Sequence, residues 1–159
     1  MKTFDAKSVL LALEANNLTL ATAESCTGGW VGKMLTDIPG SSKCYKGGVI
    51  SYTNEVKHAV LGVPKQLLDT LGPVSEPVAK AMAEGARRVT NADIGVSVTG
   101  LAGPDGDGSG RPVGLVYIAL SREGETICKE LHLAGDRISV RQQACYEIFA
   151  LIHGVLEAR

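Results

Sequence analysis

LTLATAESCTGGWVGKMLTDI, residues 18 to 38, reads as a strand, a tight turn and a helix in immediate succession. LTLATAE is a short apolar run of strand length. GGWVGKMLTDI has helical character and stops before Pro39 and Gly40, where a helix cannot continue. Between them lies AESCTGGW, residues 23 to 30, with a Ser, a Cys, a Thr and paired Gly in one run. A strand that turns directly into a helix is a building unit of α/β domains.

The rest of the chain repeats that alternation. SVLLALEA carries Val9, Leu10 and Leu13 at helical spacing and predicts a first helix ending near Asn16-Asn17. GGVISYT predicts a second strand. NEVKHAVLG predicts a helix with Asn54 as N-cap and Gly62 at its end, and Pro64 opens another short helical piece. SEPVAKAMAEGARRV is the clearest helix: Ser75 caps it, Pro77 sits in its first turn, and Val78, Met82 and Ala86 share a face. ADIGVSVTG is nearly all apolar, which places it as a central, buried strand. LAGPDGDGSGRP is a loop. VGLVYIALS and ETICKELHLAG flank Arg122-Glu123-Gly124 as an antiparallel hairpin. DRISVRQQACYEIFALIHGVLEA is a long final helix with Asp136 as N-cap. The expected fold is α/β: a three-layer α/β/α sandwich with a mixed sheet, one domain over residues 1–159.

Composition narrows the function. A chain of 159 residues is long enough for one real core, and with 4% aromatics that core is aliphatic. Net charge is -1 with no basic stripe, which argues against nucleic acid or an anionic membrane as the main partner. Cys26, Cys44, Cys128 and Cys145 form no C-x-x-C pair and have no His at zinc-finger spacing, so they read as reduced thiols of a cytoplasmic protein. The N-terminal apolar stretch is too short and broken for a signal peptide, and no run approaches a membrane span.

Four clusters carry polar chemistry. If the first strand ends near Glu24, Ser25 lies on the turn and Thr27-Gly28-Gly29 opens the following helix. The free N–H groups there would favour an ionised Ser25 and could hold an oxyanion, and the glycines would admit a substrate to the backbone. The plainer alternative makes Ser25 an N-cap, but that leaves the paired glycines unexplained. Cys26 is the rival nucleophile and reads as a packing residue, because no His neighbours it in sequence. In SYTNEVK, Asn54 and Lys57 are three apart and expected on one face. Burial would make Lys57 a base, Tyr52 a relay or a support for it; the alternative is a solvated Lys. His58 reads as surface. Thr99 and Gly100 end the buried strand, where open α/β sheets place their ligands. The loop after them is no P-loop, no dinucleotide fingerprint and no calcium loop: Val116 stands where the last calcium ligand belongs. It is either a flexible connection or a lid. Arg137 and Arg141, four apart at the start of the last helix, suit a phosphate unless they are ordinary surface Arg. No set of side chains has metal-ligand spacing, so neither metal nor cofactor is expected.

TAESCTGGW, SYTNEVK, LGPVSEPVAKAMAEGAR, VTGLAGPDG…RPVGLVY and GDRISVR, taken in order, resemble the CinA C-terminal domain family, whose stand-alone members are nicotinamide-nucleotide amidohydrolases of the PncC type. The resemblance runs from about Leu18 to Arg141. It implies a three-layer α/β/α fold, without the additional N-terminal domain of full-length CinA proteins. It also implies hydrolysis of the carboxamide of nicotinamide mononucleotide to nicotinate mononucleotide and ammonia. Ser25 would be the nucleophile and Lys57 the base, with Tyr52 and Thr99 on matching polar positions. Thr27, Gly28, Gly29 and Asn54 would surround the reacting group, and Gly100, Arg137 and Arg141 would hold the phosphate. The loop departs from the family pattern at Gly106-Asp107 and Arg111. A homo-oligomer would use Trp30 and the terminal helix, as a monomer core equally would.

Overall fold

The computed structural model describes residues 4–158. The chain runs α1 (Ala6–Ala15), β1 (Leu20–Glu24), α2 (Trp30–Thr36), a 3₁₀ turn (Ser41–Lys43), β2 (Tyr45–Ile50), α3 (Asn54–Ala59), α4 (Lys65–Leu71), α5 (Glu76–Thr90), β3 (Ile94–Gly100), β4 (Leu115–Arg122), β5 (Glu125–His132) and α6 (Arg137–Glu157). The sheet order is β2-β1-β3-β4-β5. β1 is parallel to β2 and β3, while β3, β4 and β5 are antiparallel to one another in turn. The apolar strand thus takes the central place its composition predicts.

Side-chain alternation along the strands feeds two apolar layers. Val96 and Val98 of β3 and Ile118 and Leu120 of β4 pack under α1, α2 and α6 with Leu13, Leu35, Ile148 and Phe149. Ala21 and Ala23 of β1 face the other way, toward Val78, Met82 and Ala86 of α5 and Leu61 before α4. Helices on both faces of a mixed sheet make the expected three-layer sandwich. Among the described residues no helix is long and apolar enough to cross a membrane.

The α5 face is packed through small residues. Ala79 and Ala83 meet Ala119 across it. A Cβ on Gly95 would collide with the Ala83 carbonyl, and one on Gly85 with the Leu61 carbonyl. This close approach brings the loop before α5 over the carboxyl ends of β1 and β3.

Three expected element ends differ, two in position and one in its capping bond. β2 starts at Tyr45, which pairs with Leu20, and ends at Ile50 rather than running to Thr53. Thr53, not Asn54, caps α3: its hydroxyl accepts from the Val56 N–H, and Asn54 is the first helical residue. Ser75 occupies the N-cap position of α5, but its hydroxyl donates to the Gly72 carbonyl instead of capping.

Gly95→Ala should destabilise the domain by about 1–3 kcal/mol or more, since the intruding methyl meets backbone rather than a flexible side chain. Gly154→Ala, in open space on α6, should stabilise it by about 0.5–1 kcal/mol. Urea unfolding of both variants reads the contrast.

Candidate active site

β1, β2 and β3 are parallel; β1 and β2 end level, with Glu24 paired to Ile50, and β3 runs two residues beyond Val98, the other partner of Glu24. Their carboxyl ends therefore deliver Ser25, Ser51-Tyr52 and Thr99-Gly100 to one edge of the sheet. The Ser25 N–H donates to the Val98 carbonyl at 3.0 Å, and the Ser51 N–H to the Glu24 carbonyl at 2.7 Å. The backbone around Ser25 is thereby fixed from both neighbouring strands.

Three residues separate the end of β2 from the start of α3, and Lys57 lies one turn into the helix. Long helical side chains lean toward the helix N-terminus, so Lys57 reaches back over the end of β2. It is fully buried, at 1% exposure. Its Nζ lies 2.9 Å from Ser25 Oγ, 2.7 Å from the Ser51 carbonyl and 3.3 Å from the Tyr52 carbonyl. Loss of water around the charged form pushes its pKa down to about 8. A neutral amine has two N–H bonds and one lone pair. The two carbonyls take the N–H bonds, which leaves the lone pair facing the Ser25 hydroxyl. Cys26 differs. Its thiol is buried against the apolar layer beneath α2 and α6, and burial pushes its pKa up to about 12. It stays protonated near neutrality and packs, as its sequence context suggests.

A cavity of about 210 Å³ opens over the pair. Gly100, Leu101, Ala102 and Gly103 form one wall, and Pro73 and Val74 another. Thr99 is buried in that wall and donates to the Pro73 carbonyl at 2.9 Å. Tyr52 and Arg137 form the rim: Arg137 donates to the Tyr52 hydroxyl at 3.4 Å and to the Gly103 carbonyl at 2.7 Å. The Tyr52 ring is 60% exposed, so it is the carbonyl of Tyr52, not its hydroxyl, that supports Lys57. Asp105, Gly106 and Asp107 close the cavity from the loop. Arg111 ties that loop to the chain before α5 through the Leu71 and Val74 carbonyls. The segment is a tethered wall of the site.

Four sequence expectations are corrected. Ser25 does not sit at a helix mouth: α2 starts at Trp30, and its first N–H groups are occupied by Glu24, whose carboxylate accepts from Val31 N at 2.9 Å and Gly32 N at 3.0 Å. Thr27, Gly28 and Gly29 do not line the cavity. Thr27 is buried, with its hydroxyl donating to Glu24 at 2.6 Å, and Gly28 and Gly29 turn the chain at φ of 60° and 100°. The Gly28 N–H is spent on the Ser25 carbonyl, at 3.0 Å. Asn54 points to solvent, away from the buried Lys57 three residues on. Arg141 faces no open anion site: its Nε donates to the Cys26 carbonyl at 2.9 Å, its Nη2 to the Thr27 carbonyl at 3.1 Å, and its guanidinium lies 5.4 Å from the centre of the Trp30 ring.

Two N–H groups beside Ser25 remain free. Those of Cys26 and Thr27 meet no acceptor among the described residues. The functional residue that sequence reasoning missed is Glu24. Its one local signal is a carboxyl closing an otherwise apolar strand, three residues ahead of a Thr. No three His, Cys, Asp or Glu side chains converge among the described residues.

A model of the CinA C-terminal domain matches residues 3–156. A putative competence-damage inducible protein of Desulforudis audaxviator is 52% identical over 135 residues, covering 85% of this chain and 33% of the relative. One from Caldanaerobacter subterraneus is 45% identical over 95% of this chain and 37% of the relative. The chain thus spans about a third of the length of these curated relatives. A crystal structure of a CinA superfamily protein from Escherichia coli superposes with a TM-score of 0.92 at 33% identity, covering 98% of this chain and 92% of that one. The competence/damage inducible protein of Agrobacterium tumefaciens superposes at 0.91 with 35% identity, over 96% and 93% of the two chains. With its family model matched over nearly its whole length and its fold superposed on these structures, the chain belongs to the CinA C-terminal domain family.

Proposed function

We propose that this domain hydrolyses the carboxamide of nicotinamide mononucleotide to nicotinate mononucleotide and ammonia, with Ser25 as nucleophile and Lys57 as its base. The observation that carries the reading is the 2.9 Å contact between a buried, easily neutralised amine and a serine hydroxyl at the floor of a cavity. Lys57 takes the Ser25 proton as Oγ attacks the amide carbon. The Cys26 N–H, on the cavity lining beside Ser25, meets the developing oxyanion, a role in which losing the donor costs roughly 10²–10³ in rate. The tetrahedral intermediate collapses, and the Lys57 ammonium protonates the departing amine to ammonia. Water, deprotonated by the now neutral Lys57, then cleaves the ester and restores Ser25.

The substrate's charge pattern fits the cavity. Its pyridinium ring withdraws electrons from the amide and makes a modest nucleophile sufficient. Placed beside Lys57, the same positive ring favours the uncharged amine. Asp105 and Asp107 line the cavity from the loop, where they would receive a cation, and Arg137 at the rim is left as the guanidinium for the phosphate. Tyr52 is not a relay in this reaction, because its hydroxyl is turned to Arg137. No step calls for a metal or a redox cofactor.

Ser25→Ala should lower ammonia release from nicotinamide mononucleotide by at least about 10³, while Cys26→Ser keeps much of it. The opposite ranking would move the nucleophile to Cys26. Tight binding of the nucleotide by the wild-type protein without turnover would make the domain a non-catalytic binding module. A chelator should leave the rate unchanged.

The rate against pH tests the base. Lys57 must be neutral to act, so kcat/KM should rise with pH to an inflection near 8 and level off above it. Stability follows the same proton. The folded chain releases it near 8, and an unfolded Lys holds it to about 10.4, so folding is favoured increasingly across that window. The unfolding free energy of the wild type should therefore climb relative to Lys57→Met between those pH values. A flat difference would show that Lys57 is not desolvated.

A further inference from the structure

We propose that Glu24 and Arg141 are positioning residues: together they hold the turn whose peptide planes aim the Cys26 N–H at the reacting centre. The inference deepens the amidase reading and rests on it. The turn between β1 and α2 has two left-handed glycines and no ladder partner, so its backbone needs external constraints. It has two. The Glu24 carboxylate, 3% exposed, binds the Thr27 hydroxyl and the first amides of α2, so it fixes the far end of the turn to its start. Arg141 grips the Cys26 and Thr27 carbonyls from α6.

Peptide planarity converts that grip into direction. A trans peptide points its N–H opposite to its C=O. Holding the Thr27 carbonyl against Arg141 therefore fixes the plane of that peptide, whose Gly28 N–H donates to the Ser25 carbonyl at 3.0 Å. Holding the Ser25 carbonyl against the Gly28 N–H turns the Cys26 N–H the other way in the same fashion. Neither clamp residue lines the cavity, and both act through the turn.

The test uses two probes on the whole chain. Nicotinamide mononucleotide reads turnover. N-methylpyridinium-3-boronic acid reads the oxyanion site without turnover: Ser25 Oγ adds to boron as its O–H bond breaks and the proton passes to the neutral Lys57 amine, no group leaves boron, and boron becomes a four-coordinate anion. Glu24→Gln should lower kcat by about 10²–10³ and weaken the boronate by a similar factor. KM should change by less than about threefold, and the pH inflection near 8 should stay. Thr27→Val should do the same more mildly, and it reads the proposal if Glu24→Gln does not fold. Arg141→Lys should also lower kcat and boronate affinity; a raised KM alone would make it a phosphate contact. Boronate binding by Glu24→Gln or Thr27→Val at wild-type strength overturns the proposal, as does the absence of any Ser25–boronate adduct in the wild type. If the wild type forms the adduct but releases no ammonia, the substrate reading fails. The positioning role then stands on loss of the adduct in the variants and falls if the variants keep it.

Discussion

An amine with almost no contact with water has to find its hydrogen-bond partners inside the protein. Lys57 finds three, and each is supplied by the end of a strand. An unpaired buried ammonium would cost several kcal/mol, so the surroundings of Lys57 are constrained as a set. β2 has to end at Ile50 so that Ser51 and Tyr52 can present their carbonyls. α3 has to begin after no more than three intervening residues, and Thr53 supplies the cap that starts it there. Ser25 has to follow β1 directly, level with Ser51. The edge of the sheet is built around one nitrogen.

The paired glycines find their reason in the same region. A helix-capping serine would gain nothing from Gly28 and Gly29. The chain, however, leaves β1 and delays α2 until Trp30, and it does so through left-handed conformations that other residues adopt poorly. The delay frees the Cys26 and Thr27 amides and leaves the amides at the start of α2 to Glu24. A carboxylate thus takes the positive end of the short helix, and the hydroxyl is left to the amine. Ser25 meets a side chain from a different strand–helix unit rather than the end of a helix dipole, and in the proposed reaction that side chain activates it.

Much of this was legible in the sequence. The strands and helices were readable because period and length separate them, and the apolar ADIGVSVTG named its own central position. Ser25 and Lys57 stood out by chemical type, and the five-motif resemblance joined two segments that lie 32 positions apart. What was hidden depended on backbone angles or on distant partners. Whether Thr53 or Asn54 caps α3 is a matter of one residue's ψ. Arg137 and Arg141 look equivalent at four-residue spacing, yet one meets the cavity rim and the other meets carbonyls more than a hundred positions earlier. Glu24 read as the end of a strand because its partners, the Val31 and Gly32 amides, carry no side-chain signature.

The scarcity of aromatic residues bears on how a planar ring would be recognised. Tyr52 is the aromatic side chain on the cavity, and it stands at the rim, largely exposed, with its hydroxyl turned to Arg137. Stacking has little to work with there. Charge has more: carboxylates on the loop, a guanidinium at the mouth, and an amine at the floor whose burial brings its pKa down to about 8. A cationic ring entering that field is drawn by the loop and repels the proton on Lys57, so binding itself favours the reactive state of the base. A neutral ring would do neither. In the proposed reaction, selectivity for the charged nucleotide over a neutral amide and activation of Ser25 are two consequences of one electrostatic arrangement.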